Sequence, residues 1–358
     1  HGHVDHVFGA SIYAEEAVAK GWPPPQVVAH EGVVKRFDRY RETVGWNGYI
    51  NLRQFRGGVG EPLFPGEFHY PDTTYDDRKT LSVGGIEVIL RHTRGETDDH
   101  TWVFFPDNRV LCTGDLFIWS VPNAGNPQKV QRYAREWADG LREMAALEPE
   151  ILAPGHGLPI IGSDRVRQAL EDTAAFLESV QEQTLAMMNK GLSLDEVIHT
   201  VRPPEDLSDR PYLQPVYDEP EFIVRNIWRN YGGWYDGTPS HLKPASERDQ
   251  ATEIARLAGG PKALAARAEE CLSAGDFRLA CHLIDWAHRV SPDDPTVREI
   301  GAKVYMARAE AESSTMAIGI YSSAARAIGG ETVGGTGDVI GSSIMRAQAR
   351  KDKPTSDH

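Results

Sequence analysis

The sequence predicts a layered domain of strands and helices, α/β or α+β, followed by an all-helical domain. Three observations predict it. At 358 residues the chain exceeds what one hydrophobic core usually serves, so two domains are expected. Strand pairs and helices alternate from Thr80 to Asn189. From Ala245 onward the pattern turns Ala-rich and helical.

The elements follow in order. SIYAEEAVAK (Ser11 to Lys20) reads as a helix, ended by GWPPP. QVVAHEG (Gln26 to Gly32) reads as a short buried strand, and Val33 to Val44 as a charged helix. Asn47 to Asp77 is rich in Gly, Pro and aromatics and reads as one long loop, a candidate lid whose rings could wall the site or staple the loop to the core. Thr80 to His92 carries two strands around Gly84-Gly85, a hairpin signal. TWVFF and RVLC are strands around a PDN turn, and a loop is expected to open at Thr113-Gly114-Asp115. Lys129 to Leu147 reads as an amphipathic helix, EILAPGHG as a strand ending in a glycine-flanked His, and Arg165 to Asn189 as a long helix. Pro203 to Pro244 is rich in Pro, Tyr and Trp, with a helix stopped at Gly232-Gly233. The stretch after Ala245 resembles a tetratricopeptide-like helical pair, but about one and a half repeats fit, so a helical bundle is expected. The boundaries are drawn at 1–175 for the layered domain, 176–244 for a helical and aromatic linker, 245–328 for the helical domain and 329–358 for a disordered tail.

Composition excludes some functions. The net charge of −14 argues against nucleic acid and anionic membrane surfaces as partners. It leaves an anionic small substrate open, because a local metal site overrides the global sign. No apolar run reaches the length of a membrane span. Cys112, Cys271 and Cys281 give no disulfide framework, which favours the cytoplasm over the periplasm.

The chemistry concentrates in His1-Gly2-His3-Val4-Asp5-His6. Imidazole and carboxylate are ligands for zinc and similar ions. His1 and His3 share a side of an extended backbone, and Asp5 and His6 need a turn to aim at a neighbouring point, so the spacing suits two ions. An expression tag would be homopolymeric, whereas this run holds Asp5 at a fixed offset. An upstream strand is expected to hold such a run, which makes the sequence a piece of a longer chain. Later candidates are Glu96 in Arg94-Gly95-Glu96-Thr97, Asp115 in Thr113-Gly114-Asp115 and His156 in Pro154-Gly155-His156-Gly157. Each lies beside a glycine and at a strand end, where sites gather on layered folds. His100, four residues after Glu96, is an alternative ligand and more readily a supporting or substrate-contacting group. Cys112 reads as a buried packing residue.

HGHVDH, the glycine-flanked Glu96, Asp115 after a strand and GHG at His156 together resemble the metallo-β-lactamase superfamily over residues 1 to 175. Glu at position 96, where most members carry His, resembles the alkyl sulfatase branch. YDEPEFIVRNIWRNYGGWYDGTPSHL and AGDFRLACHLIDWAHRVSPDDP resemble the linker and helices of the alkyl sulfatase dimerisation domain. The resemblance implies an αββα domain followed by an all-α one, and a dinuclear zinc hydrolase acting through a metal-bridging hydroxide. His1, His3 and Glu96 would hold one zinc, Asp5, His6 and His156 the other, and Asp115 would bridge them. Asp5 and Asp115 would carry catalysis. The substrate implied is a small-molecule alkyl sulfate ester, and the C-terminal helices imply a homodimer. After the bridging acid the chain reads FIWSVPNAGNPQKVQRYAREW, whose cations are Lys129 and Arg132 and whose polar candidates are Asn123 and Asn126. Substrate contacts are therefore expected from His100, Asn123, Asn126 and Arg132. The competing readings are hydrolysis of another ester, a lactone, a thioester or a β-lactam, and a non-enzymatic helical scaffold with a structural metal.

Overall fold

The computed structural model describes residues 1–55, 64 and 67–330. They fold as two compact units, one of His1–Glu42 and Glu67–Gly237, the other of Thr43–Gly66 and the chain from Thr238.

The first unit opens with a short helix, α1 (Val4–Val7), then α2 (Ala10–Lys20), β1 (Val28–His30) and α3 (Gly32–Glu42). Between Glu42 and Glu67 the chain contributes α4 (Val44–Phe55) to the second unit. The first unit resumes with β2 (Thr73–Tyr75), which pairs parallel with β1. Then come β3 (Arg78–Val83), β4 (Ile86–His92), β5 (Thr101–Phe105) and β6 (Val110–Ile118), all antiparallel neighbours. After α5 (Ala134–Ala146), β7 (Ile151–His156) adds parallel to β6, and β8 (Ile160–Ile161) closes a six-stranded sheet in chain order. α6 (Ser163–Met188), α7 (Leu194–Thr200) and α8 (Pro220–Gly232) complete the unit.

Period-two alternation explains how this sheet is covered on both sides. Trp102 and Phe104 of β5 join Trp137, Leu141 and Met144 of α5 and Leu170 and Leu177 of α6 in the main core. Their neighbours Val103 and Phe105 point the other way, to Val88 and Leu90 of β4, Val28 of β1 and Tyr75 of β2. The small sheet therefore packs on the face opposite the helices, which is the layered α/β arrangement the sequence predicts. The β3–β4 hairpin turns at Gly84 and Gly85, both with positive φ (60° and 86°), as a two-residue turn of this kind requires.

Three expectations change. The long loop predicted from Asn47 to Asp77 is helical up to Phe55, because Asn47, Ile50, Asn51 and Gln54, at i, i+3, i+4 and i+7, bury on one side of α4, and Thr73–Tyr75 is a strand. Residues 56–63, 65 and 66 of that stretch lie outside the described residues, and the predicted lid with them. The loop predicted at Thr113-Gly114-Asp115 is instead a continuing strand, β6, with register shifts on either side of Gly114. The boundary drawn at residue 175 falls inside α6. Val180, Val197, Leu207, Leu213, Ile223 and Ile227 all bury into the first core, so the supposed linker belongs to the first unit as far as Gly237.

The second unit is all-helical: α4, α9 (Pro239–Leu242), α10 (Glu247–Ala258), α11 (Pro261–Ser273), α12 (Phe277–Val290), α13 (Pro295–Glu310) and α14 (Thr315–Gly329). Ser246, Asp276, Asp294 and Ser314 cap the starts of α10, α12, α13 and α14 by accepting from backbone N–H groups that the helices leave free. Small residues let the helices approach closely: Ala265, Ala268, Ala280 and Ala287 lie in the core beside Ile284, Val297 and Val304. α14 lies over α4, its Gly319 against the Arg53 and Gln54 carbonyls. The tail predicted from residue 329 begins with the end of α14, and residues 331–358 lie outside the described residues. Among the described residues, no helix is long and apolar enough to cross a membrane.

Candidate metal centre

The donors of the His run are aimed by a turn and a buried hook. His3 has extended backbone and starts α1, so Asp5 and His6 wind back toward it. Gly2 donates its N–H to Asp99 Oδ2 at 3.2 Å, and Asp99 Oδ2 also accepts from Arg36 Nε at 2.6 Å. Arg36 and Asp99 are both fully buried. Burial alone would push the Asp99 carboxyl up, but the Arg36 guanidinium holds it well below the usual carboxylate range. A β-carbon at Gly2 would sit 2.7 Å from Arg36 Cδ, so only glycine fits over this ion pair.

Three further strand ends converge there. Glu96 lies in the tight turn between β4 and β5, where Gly95 N–H donates to Thr97 O at 3.0 Å. Asp115 projects from β6 just past Gly114, which takes a positive φ of 52° against the His100 ring. The parallel β6–β7 pairing sets Gly114 opposite Pro154 and Ile118 opposite His156, which brings His156 beside Asp115.

The result is two groups of donor atoms that share one carboxylate. His1, His3, Glu96 and Asp115 form one, and Asp5, His6, Asp115 and His156 the other, with ligand atoms within 4.8 Å of one another in each. His1 Nε2 lies 2.9 Å from His3 Nδ1 and 3.7 Å from both Glu96 Oε2 and Asp115 Oδ2. His6 Nε2 lies 3.1 Å from Asp115 Oδ2, and His156 Nε2 lies 3.2 Å from Asp5 Oδ2 and 3.5 Å from Asp115 Oδ1. All seven residues nominated from the sequence as metal ligands thus stand together. Glu96 and Asp115 are buried, while Asp5 and His156 stand half exposed at the mouth.

The protonation pattern suits a site for divalent cations. Burial, and then the neighbouring Asp115 charge, push the Glu96 carboxyl well up. The neighbouring His156 and His6 rings counter the burial of Asp115 and hold its carboxyl far below the usual range. Asp115 and Asp5 in turn push the His156 imidazole up to about 10. Burial, and then the charge of Arg132, lower His3. Glu96 Oε2, Asp115 Oδ1 and His1 Nδ1 are buried with no hydrogen-bond partner. Carboxylates packed side by side and left with open lone pairs fit divalent cations, as do the imidazoles around them.

The remaining candidates divide. Asn123 Nδ2 donates to Glu96 Oε1, and Arg132 Nη1 donates to the Glu96 carbonyl. Arg132 Nη2 also lies 3.7 Å from Glu96 Oε1. Asn126 instead turns its side-chain oxygen to its own loop, accepting from Gln128 N at 3.2 Å. His100 is fully buried, as is Arg132. The His100 ring stacks on His1 at 4.4 Å between centroids, and its Nε2 lies 3.1 Å from the Thr113 carbonyl. Cys112 is partly buried in β6 and belongs to neither donor group. Sequence reading missed Arg36 and Asp99. The adjacent Asp98-Asp99 pair was the signal, but its partner lies 62 and 63 residues away on α3.

Comparison with known proteins agrees with this geometry. Residues 1–156 match the family model described as Metallo-beta-lactamase superfamily, and residues 193–330 the model described as Alkyl sulfatase dimerisation. The first 156 residues are thus similar to the metallo-β-lactamase superfamily. By the second match and the relatives, the chain is similar to the alkyl sulfatase-like branch. It is 28% identical over 324 residues to a linear primary-alkylsulfatase of Pseudomonas sp. (strain ATCC 19151), covering 85% of this chain and 61% of that protein. It is 26% identical to an (R)-specific secondary-alkylsulfatase of Pseudomonas sp., over 79% of this chain and 46% of the relative. The chain thus spans less than two thirds of the length of either. The structure of a stereoselective inverting sec-alkylsulfatase from Pseudomonas sp. superposes with a TM-score of 0.83 at 22% identity, over 92% of this chain and 56% of that one, which shows the shared fold.

Proposed function

We propose that this chain hydrolyses alkyl sulfate esters at a centre of two zinc ions. The observation that carries the reading is Arg132. Its guanidinium is fully buried beside Glu96, and its Nε and Nη2 have no hydrogen-bond partner. A buried cation with open donors next to a metal centre suits a sulfate oxyanion better than a neutral ester. Lys129 adds charge nearby, its amine lowered to about 8 by burial and then by Arg132. The alkylsulfatase names of the relatives support the same substrate class.

His1, His3 and Glu96 would hold one ion, Asp5, His6 and His156 the other, with Asp115 between them. When bound, two such cations supply Lewis acidity and a water made acidic near neutral pH. The protein residues do the rest. Asn123 Nδ2 fixes the Glu96 carboxylate by donating to Oε1. Arg132 Nε and Nη2 take the sulfate oxygens. Asp5 Oδ2, half exposed at the mouth, would accept the proton of the attacking water.

Metal content by mass spectrometry on wild type and Asp115→Ala tests the centre, together with sulfate release from dodecyl sulfate against nitrocefin opening. About two zinc per chain are expected, falling to about one or fewer in the variant, as for a bridged pair. Dodecyl sulfate should be the substrate turned over. One tightly held zinc, indifferent to Asp115, would sink the reading.

A further inference from the structure

We propose that Asp218 and Asn226 are positioning residues for the anion-binding side of the site, clasping segment 125–132 so that Arg132 and Asn123 meet Glu96. This inference rests on the sulfatase reading above. The clasp is made of three sets of contacts. Asp218 Oδ2 accepts from Gly125 N at 2.5 Å and from Asn126 N at 3.2 Å, while its Oδ1 accepts from Glu219 N at 2.7 Å. Asn226, on α8, treats Arg132 as a strand neighbour would. Its Nδ2 donates to Arg132 O at 2.9 Å and its Oδ1 accepts from Arg132 N at 3.3 Å. Gln131 Nε2 ties the same junction to the Asn226 carbonyl at 3.1 Å, and Arg229 Nε donates to Gln131 Oε1 at 3.0 Å.

The chain around this clasp has no other regular support. No helix or strand is present between the end of β6 at Ile118 and the start of α5 at Ala134, yet residues 120–126 and Arg132 are buried. Its backbone polar groups must therefore find partners elsewhere. Gly125 is where the loop meets α8. A β-carbon there would collide with the Phe222 carbonyl carbon and the Ile223 nitrogen, so the loop lies directly on the helix backbone.

Asp218 is the unusual member. It is fully buried, and the partners that reach it are backbone N–H groups rather than a cation. Burying a carboxylate without a paired charge is costly, and a neutral residue would pack the loop at less expense. A carboxylate can accept from three N–H groups at once, which a neutral amide oriented the same way cannot match. What it secures is the span that carries Asn123 and Arg132, two of the side chains that reach Glu96. Residues 193–237 match the dimerisation family model, yet in the structure they belong to the first unit and hold its anion-binding loop.

The test compares zinc-loaded wild type, Asp218→Asn and Asn226→Ser. Three quantities are read: zinc per chain, the affinity for inorganic sulfate by calorimetry, and KM and kcat for dodecyl sulfate. Hydrogen exchange across 121–132 is measured alongside. Both variants should keep their zinc, exchange faster in that segment alone, bind sulfate about tenfold more weakly and show the loss mainly in KM, as expected for displacing a substrate-orienting group by a fraction of an ångström. Unchanged sulfate affinity in folded, zinc-loaded variants overturns the proposal. So does loss of fold or of zinc in both, which would make the clasp merely structural. A zinc-loaded wild type that neither binds sulfate nor cleaves dodecyl sulfate would instead overturn the sulfatase reading, while the exchange pattern would still report on the clasp.

Discussion

At the scale of single residues, the donor cluster depends on a charge pair that belongs to neither donor group. Arg36 and Asp99 are fully buried and meet at 2.6 Å, and Asp99 also holds the Gly2 amide. Removing one member strands a buried charge, which typically costs about 3–5 kcal/mol. Arg36→Met should therefore lower the melting temperature and loosen the His run together. The pH dependence has a definite sign. The Asp99 carboxyl lies below its unfolded value of about 3.9, so the pair stabilises the fold at neutral pH and down to about pH 4. Below that the unfolded chain protonates and the advantage disappears. Melting curves of wild type and variant should diverge most at neutral pH and converge in acid. A gap that stays constant below pH 4 would assign the loss to packing alone. The donor cluster was legible in the sequence, since its residues group locally and sit beside glycines. Arg36, Asp99, Asp218 and Asn226 were not, because each acts on a partner roughly 60 to 100 positions away, and no local pattern marks such a pair.

At the scale of elements, the site is a product of one strand junction. β6 continues through Asp115 because β7 pairs with it in parallel, and the register shifts beside Gly114 swing the Asp115 side chain toward His156. Sequence reading placed a loop there, since Gly114 reads as a breaker and the partner strand lies about 40 residues on. α4 was missed for a similar reason. Gly45, Gly48 and the aromatics around them look like a loop, while burial of Asn47, Ile50, Asn51 and Gln54 along one face favours a helix. Gly155 is the tightest point of the junction: a β-carbon there would meet Asp115 Oδ1 and lie 2.7 Å from the Gly114 carbonyl carbon. Gly155→Ala should push the shared carboxylate aside. Zinc content should fall from about two to about one or fewer per chain, with little loss of helical circular dichroism, because the bridging position serves both ions. A variant that keeps its full zinc would mean that Asp115 can move without leaving the centre.

At the scale of the whole molecule, the sequence conveyed the order of a layered unit and a helical unit, and misplaced their seam. Hydrophobic periodicity reports that a helix buries a face but not which core receives it. The second half of α6, with α7 and α8, therefore looked like a linker although their apolar faces complete the first core. The helical unit leaves large apolar side chains in water: Leu257 on α10 is 75% exposed, Leu279 on α12 41% and Met306 on α13 41%. Such residues scattered singly need no explanation, but here they lie within the segment that matches the dimerisation model. The expected assembly is a homodimer paired through this unit. Sedimentation should give about twice the 39.6 kDa chain mass, and Leu257→Glu should shift the distribution toward single chains, because an isologous interface meets the new charge from both copies. A wild type that sediments as one chain across the micromolar range would remove the homodimer. A dimer indifferent to Leu257→Glu would place the pairing surface away from the exposed side of α10. Zinc content and sulfate affinity should stay unchanged in Leu257→Glu, since every donor of the centre lies in the first unit.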